Sequence, residues 1–412
     1  MRELDIEHDK LFRYAGRSWL EIDIDQLGIN IEAVKENLND NVKFYAVVKA
    51  NAYGYGAVEI AREMSKHGVL GFAVATLDEA IDLREHDIKE SILMLSFSEL
   101  ERADLAANYN LSFTIPSLDF AKALDNIYKN IGKVAKVHIA VDTGMGRIGF
   151  QADLEESRTE ILSILEMENL EIEGIYTHFS TASGSDYSEG KDSENNARKF
   201  FYQQLATFNS LLADLKSAGL EIPIVHAANS ASILSYPESQ FDAVRVGIIA
   251  YGIYPSRNLF LERENKAVKP VISWKSRVHQ VKNIKAGGSI GYDRRFVTKH
   301  DMKIAVIPVG YADGFSRSMF EKAQVLYNGV RCNVVGAVCM DMLMIDCGPL
   351  NFEPKIGDVI ELIDPNVGFE YVDVYDQATW RDTIPYEIGT SISLRIPRVY
   401  KKNERIYRIV WY

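Results

Sequence analysis

The sequence predicts a (β/α)8 barrel followed by a mostly β C-terminal domain. Two observations predict it. Between Lys43 and Gly247 one grammar repeats: a short apolar, β-branched run, then a segment with apolar residues at helical spacing. After about Pro255 the helical segments give way to successive strand-like runs. Turn signals such as Ala286-Gly287-Gly288 and Asn328-Gly329 separate them.

The expected barrel strands are Phe44–Val48, Leu70–Ala75, Ile92–Leu95, Leu111–Ile115, Val134–Val141, Ile172–Thr177, Ile222–His226 and Ala243–Gly247. Helical patterns lie between them, among them Ala57–His67, Leu154–Leu165 and Ala197–Ser217. Asp25 is the expected N-cap of a further helix running to Leu38. Eight strand–helix units favour a closed barrel. An open, doubly wound sheet satisfies the same alternation and stands as the alternative. In the second region the expected strands are Ile272–Val278, Met302–Ile307, Ala323–Tyr327, Val334–Val338, Met344–Ile345, Val359–Leu362 and Ile406–Trp411. Two domains are therefore expected, residues 17–257 and 258–412, with residues 1–16 joining the second. The polar stretch Ser183–Asn196 is the expected mobile loop.

Composition narrows the function. The chain has 412 residues, 47% hydrophobic and 25% charged, which are globular proportions. Lys plus Arg is 46 against 58 Asp plus Glu, a net charge of −12 that disfavours nucleic acid and anionic membranes as partners. No apolar run approaches the ~20 residues of a membrane span. The N-terminus lacks the apolar core of a signal peptide. The three cysteines, Cys332, Cys339 and Cys347, form no Cys-x-x-Cys pair and have no nearby His. Neither a disulfide framework nor a metal site is expected, and the expected compartment is the cytoplasm.

A barrel of this kind carries its active site at the C-terminal ends of its strands. Lys49 ends the first strand, and a lysine there is either solvated at the rim or a desolvated, Schiff-base-forming amine. Asp142 ends the fifth and leads into Gly144-Met-Gly-Arg-Ile-Gly149. That run matches a dinucleotide pattern, but Asp142 would repel a pyrophosphate, so Arg147 is better read as a fork-shaped donor to an anion. His178 ends the sixth, Asn229-Ser230 follow the seventh, and Arg245 interrupts the apolar eighth just before Gly247-Ile248. His178 alone reads equally as a core histidine, and Ser230 as a helix cap. Arg245 is harder to explain, because a buried arginine needs a partner. Loops after strands seven and eight are common phosphate sites. Lysine, phosphate site and arginine together imply pyridoxal phosphate held on Lys49 as a Schiff base. A phosphosugar aldolase uses similar parts and remains open at this point.

The motif text separates the two. Ala46–Gly56, Val141–Gly149, Tyr176–Phe179, Asn229–Ala231, Arg245–Ile248 with Tyr251–Ser256, Ser289–Tyr292, Val309–Gly314 and Cys339–Asp341, in this order, resemble the alanine racemase family. The resemblance covers nearly the whole chain. It implies a pyridoxal 5'-phosphate enzyme that interconverts L- and D-alanine by two bases, for cell-wall peptide supply. By it, Lys49 holds the cofactor and is the base on one face, and Tyr292 is the base on the other. Tyr292 comes from the partner subunit in that family, so a homodimer is implied. Tyr53, Ser230, Gly247 and Ile248 would bind the phosphate, with Asn229 beside them. Arg245 would face the pyridine nitrogen, and His178 would bridge towards Tyr292. Arg147 and Met340 would hold the substrate carboxylate, with Tyr311 and Asp341 at the entrance. The sequence departs from the family at Ala140, usually a carbamylated lysine, and at Leu394, usually a tyrosine. It departs also at Tyr55, usually histidine, at Ala337, often arginine, and at Ser183, often acidic. These departures keep serine or another small amino acid open as substrate, with a decarboxylase or a cofactor-binding regulator further off.

Overall fold

The computed structural model describes residues 15–96, 98–182, 191–261 and 268–412. Eight parallel strands form the first body: β1 (Lys43–Val47), β2 (Gly71–Val74), β3 (Ser91–Met94), β4 (Ser112–Ile115), β5 (Ala135–Asp142), β6 (Leu170–Tyr176), β7 (Ile224–His226) and β8 (Ala243–Val246). Each pairs with the next, and β8 returns to β1 with Arg245 opposite Tyr45. The β4–β5 pairing, Thr114 opposite His138, completes the ring. The sheet is a closed barrel, so the open-sheet alternative falls. Most of the strand residues are buried, with β6 and β7 opening to solvent only at their N-terminal ends, which is why the strands read as apolar runs rather than alternating ones.

Helices follow the strands as expected, with shifted ends. Ala57–Ser65, Glu155–Ile164 and Lys191–Ser217 occupy three of the predicted stretches. The first helix, Ile24–Lys35, is capped by Asp23, whose carboxylate accepts from the Gln26 N–H. Asp25 was the expected cap. It lies within the first turn instead, where its charge faces the positive end of the helix dipole. The expected loop Ser183–Asn196 lies partly outside the described residues, and Lys191 onward is helix.

The second body is built on a seven-stranded sheet. Its order is Val330–Asn333, Gln324–Tyr327, Val359–Ile363, Ile272–Arg277, Ser18–Asp23, Arg398–Lys402, Arg405–Val410. Ser18–Asp23, counted with the barrel on sequence grounds, therefore sits near the middle of the C-terminal sheet. It pairs antiparallel with Ile272–Arg277 and parallel with Arg398–Lys402. Residues 1–14 lie outside the described residues. The expected strand Val334–Val338 makes a single bridge, Val334 to Ile345, because Gly336 at φ 73 turns the chain there. Two helices were not foreseen, Val374–Arg381 and Pro385–Ser391. The second of these lies over the barrel mouth.

Candidate active site

The site begins with an unusual piece of backbone. After β1, residues Ala50 to Tyr53 hold φ between 51 and 56, one turn of left-handed helix. For L-residues this conformation costs roughly 1–2 kcal/mol each. Local hydrogen bonds offset the cost. Ala52 N donates to Val48 O (2.8 Å), Gly54 N to Ala50 O (2.8 Å) and Gly56 N to Asn51 O (2.8 Å). The Asn51 carboxamide oxygen accepts from Ala57 N at 2.8 Å, and Glu79 Oε1 accepts from Ala50 N at 2.6 Å. Gly54, at φ 89, has no room for a side chain: a Cβ would stand 2.2 Å from Gly389 O of the helix above. The turn brings Lys49 and Tyr53 into one cavity of about 1060 Å³.

Arg147, His178, Asn229, Ser230, Arg245 and Gly247 line the same cavity, at the C-terminal ends of the strands. One corner is a small cradle. Gly247 N donates to Ser230 Oγ at 3.0 Å, and a Cβ on Gly247 would stand 2.7 Å from the Tyr53 hydroxyl and 3.4 Å from Ser230 Oγ. Only glycine leaves that space open. Ile248, the next residue, is buried. Asn229 caps the helix Ser230–Ser235 and aims Nδ2 at Phe179 O. A compact anion with several acceptor oxygens, such as a phosphate, fits this corner.

The opposite wall is a buried cation among imidazoles. Arg245 is 3% exposed. Its Nη1 donates to His226 Nδ1 (3.0 Å) and His226 O (3.1 Å). Its Nη2 donates to the carbonyls of Thr177 and Ala227, each at 2.7 Å, and lies 3.2 Å from His178 Nδ1. Tyr176 covers the guanidinium at 5.3 Å and stacks on His226 at 4.9 Å. Behind them His226 Nε2 meets His138 Nδ1 at 3.0 Å. Burial lowers the Arg245 pKa to about 10, so it stays charged at neutral pH. Burial and then Arg245 hold His178 and His226 well below the usual imidazole range. A neutral His178 ring accepts at one nitrogen only. Accepting from Arg245 at Nδ1 leaves Nε2–H as a donor, and Asn229 Nδ2, itself a donor 3.4 Å away, gives its hydrogen to Phe179 O instead. Lys49 is also shifted down, by burial first and then by Arg147, with Glu79 opposing.

The loop after β5 shows why its glycines are not a nucleotide site. Asp142 accepts from the backbone N–H groups of Gly144, Met145, Gly146 and Arg147 at 2.8–3.1 Å. The amides are already taken, and the loop is wound around a carboxylate. Arg147 is thereby fixed at its backbone, while its guanidinium makes no ion pair with the described residues. Ala140 is buried and contributes no polar group there.

The remaining predicted residues lie elsewhere. Tyr292, Tyr311 and Met340 are exposed at 63%, 42% and 53%, on the C-terminal body, and neither they nor Asp341 line the cavity. They are built into one surface. Tyr311 N donates to Cys339 O and Ala312 N to Met340 O, while Asp341 accepts from Arg395 at 2.8 Å. Gly291, before Tyr292, packs on the backbone of buried Ala337. Leu394 is 51% exposed and outside the cavity, whereas Tyr55 is buried against Tyr251. Ser183 lies outside the described residues.

Four residues of the site were not singled out from sequence: Glu79, Tyr176, His226 and Tyr386. Thr76-x-x-Glu79 is a readable capping box, and both of its hydrogen bonds form. His226 ends a predicted strand two registers from Arg245, a signal that was available. Tyr386 lines the cavity from the helix Pro385–Ser391, whose one start signal, Pro385 at its first position, was not used.

Comparison with known proteins agrees with this geometry. A family model described as alanine racemase, N-terminal domain, matches residues 22–255, and its C-terminal counterpart matches residues 271–400. The chain belongs to the alanine racemase family. An alanine racemase of Clostridium perfringens is 39% identical over 96% of this chain and 98% of its own length. The solved alanine racemase of Clostridium difficile 630 superposes with a TM-score of 0.89 at 34% identity, covering 97% of this chain and 99% of that one. That of Bartonella henselae, solved with covalently bound pyridoxal phosphate, gives 0.80 at 29% identity over 94% and 100%. Within the family, then, this chain has the lysine, cradle and buried arginine in one cavity.

Proposed function

We propose that this protein interconverts L- and D-alanine, using pyridoxal 5'-phosphate bound through Lys49. The observation that carries the reading is that Lys49, the Ser230–Gly247 cradle and Arg245 share one cavity. The residues fit the cofactor: an amine to join its aldehyde, a glycine-lined corner for its phosphate, and a cation for its ring nitrogen. Bound there, the cofactor would acidify the substrate Cα–H.

The protein supplies the bases. Lys49 Nζ, depressed by burial and Arg147, gives up its ammonium proton readily and serves one face of the substrate. Tyr292 from a partner subunit serves the other, which is why its exposure on a single chain supports a homodimer. His178 Nε2–H is free to meet that phenol and pass its polarity from Arg245. Arg245 remains charged and keeps its proton, so a cofactor ring nitrogen held against it would stay unprotonated. The cofactor would then be a weaker electron sink, which would favour racemisation over decarboxylation or transamination. Tyr53, Ser230, Gly247 and Ile248 would hold the phosphate, with Asn229 fixing the loop. Arg147 and the Met340 backbone would hold the carboxylate, with Tyr311 and Asp341 at the mouth. The two domains would be residues 17–257 and 258–412, with Ser18–Asp23 lent to the second. Three unpaired cysteines and the absence, among the described residues, of any helix able to cross a membrane fit a cytoplasmic enzyme.

The test is D-alanine formation from L-alanine by protein loaded with pyridoxal 5'-phosphate, beside a panel including L-serine. Failure on alanine with turnover of serine would transfer the reading to that substrate. Mixing inactive Lys49→Ala with inactive Tyr292→Phe should restore activity through hybrid dimers. No recovery despite verified subunit exchange refutes the shared site.

A further inference from the structure

The left-handed turn after β1 is held from outside by one carboxylate. Glu79 sits in the helix Leu77–Glu85 that follows β2. A capping box asks only that this glutamate reach back to its own N-cap. Here Oε2 does so, accepting from Ala75 N at 2.8 Å and Thr76 N at 3.3 Å. The other oxygen is used differently. Oε1 accepts from Ala50 N at 2.6 Å, the residue directly after Lys49 and 29 positions earlier in the chain. Ala50 is the first residue of the left-handed turn, at φ 53. The amide of such a turn's first residue has no partner within the turn, so an acceptor must be brought to it. One carboxylate therefore ties together the β1 turn, the β2 loop and a helix start.

We infer that Glu79 is a positioning residue for Lys49: it clamps the strained turn that carries the lysine and sets a negative charge against the cations around it. The inference rests on the proposed role of Lys49. The groups facing Lys49 are Arg147 and Arg245, both cationic, neutral His178 and the phenols Tyr53 and Tyr176. Asp382, Tyr386 and Glu387 line the same cavity from the C-terminal body. The electrostatic direction agrees with the geometry: Arg147 and Arg245 favour the free amine, and Glu79 favours the ammonium. Removing that carboxylate should lower the pH at which Lys49 loses its proton, because a neighbouring anion stabilises the charged amine.

The experiment is competitive acetylation of Lys49 by acetic anhydride across pH, read by mass spectrometry on the cofactor-free dimer or monomer as purified. It needs no cofactor, so it separates this inference from the pyridoxal phosphate reading, which a parallel absorbance titration tests. In Glu79→Gln the labelling midpoint should fall by about one pH unit, and the dissociation constant for pyridoxal 5'-phosphate should rise about tenfold, a single lost charge-assisted bond. Thr76→Ala removes the helix cap but leaves the Ala50 bond, and its midpoint should match the wild type. An unchanged midpoint in Glu79→Gln, or an equal shift in Thr76→Ala, reduces Glu79 to a helix cap and overturns the inference. Should the glutamine variant not fold, Glu79→Asp decides: it keeps the charge but falls one methylene short. Weaker cofactor binding supports the clamp, and wild-type binding overturns it.

Discussion

Acid should destabilise this protein from inside its barrel, in a pH range where its carboxylates are still ionised. His138 and His226 are both 0% exposed, and His138 is held at about 4, chiefly by burial. Burial and Arg245 depress His226 in the same direction. An unfolded chain titrates its histidines near 6.5. Both folded values lie below that, so the unfolded chain takes up protons that the folded chain refuses. The stability is complete above pH 6.5 and is lost as the pH falls towards 4. For His138 alone, the loss by pH 4.5 is about 3 kcal/mol. That is a large share of a typical stability of about 5–15 kcal/mol. The paired carboxylates Glu21 and Glu63, whose pKa values are lowered, keep their stabilising contribution through most of this window and lose it only as the pH falls on through the carboxylate range. The assay is urea unfolding of the apoprotein at pH 7.5, 6.5, 5.5 and 4.5, for wild type and His138→Gln. The glutamine keeps a donor and an acceptor for His226 but does not titrate. Its stability should fall less steeply, by one proton's worth of slope. Equal slopes in the two proteins would refute the claim that His138 is buried neutral.

Other expectations follow from the site. Lys49→Ala should stay colourless on incubation with pyridoxal 5'-phosphate and give no borohydride-trapped adduct, as judged by absorbance and peptide mapping. Gly247→Ala fills the cradle, and calorimetry should show the cofactor bound about 10–100-fold more weakly, the value of one or two bonds to a charged oxygen. Arg245→Met leaves the Thr177, His226 and Ala227 carbonyls without their donor, and urea unfolding should register a loss of about 3–5 kcal/mol. In the same variant the His226 imidazole should titrate closer to 6.5 by NMR, since one of its depressing charges is gone.

The barrel was legible because buried parallel strands are written as unbroken apolar runs, and a polar group at the end of such a run stands out. Lys49, His178 and Arg245 were found in that way, and all three line the cavity. His226 and Tyr176 were not found, because a histidine or tyrosine in a strand is as often core. The turn at Ala50–Tyr53 was invisible for a different reason. Local preference reserves left-handed backbone for Gly and Asn, and here a distant glutamate overrides it. Ser18–Asp23 could not be assigned to its sheet either. Its partners start at Ile272 and Arg398, and nothing local in Ser-Trp-Leu-Glu-Ile-Asp names them. Tyr292, Tyr311, Met340 and Asp341 were legible only through family resemblance, since an exposed polar or aromatic residue outside the cavity carries no local mark of a role in a site.

The position of Ser18–Asp23 has a consequence for synthesis. Ser18 pairs with Ser276, so this strand leaves the ribosome more than two hundred residues before the edge that will hold it. Leu20 must wait longer still, for Arg398. The barrel is made entirely in that interval and can close on itself. Until then an early strand of Trp19, Leu20 and Ile22 is unpaired, and each of these side chains ends fully buried. The nascent chain thus carries an adhesive edge throughout barrel folding. Completing this sheet means closing later-made strands around a segment made more than two hundred residues before them.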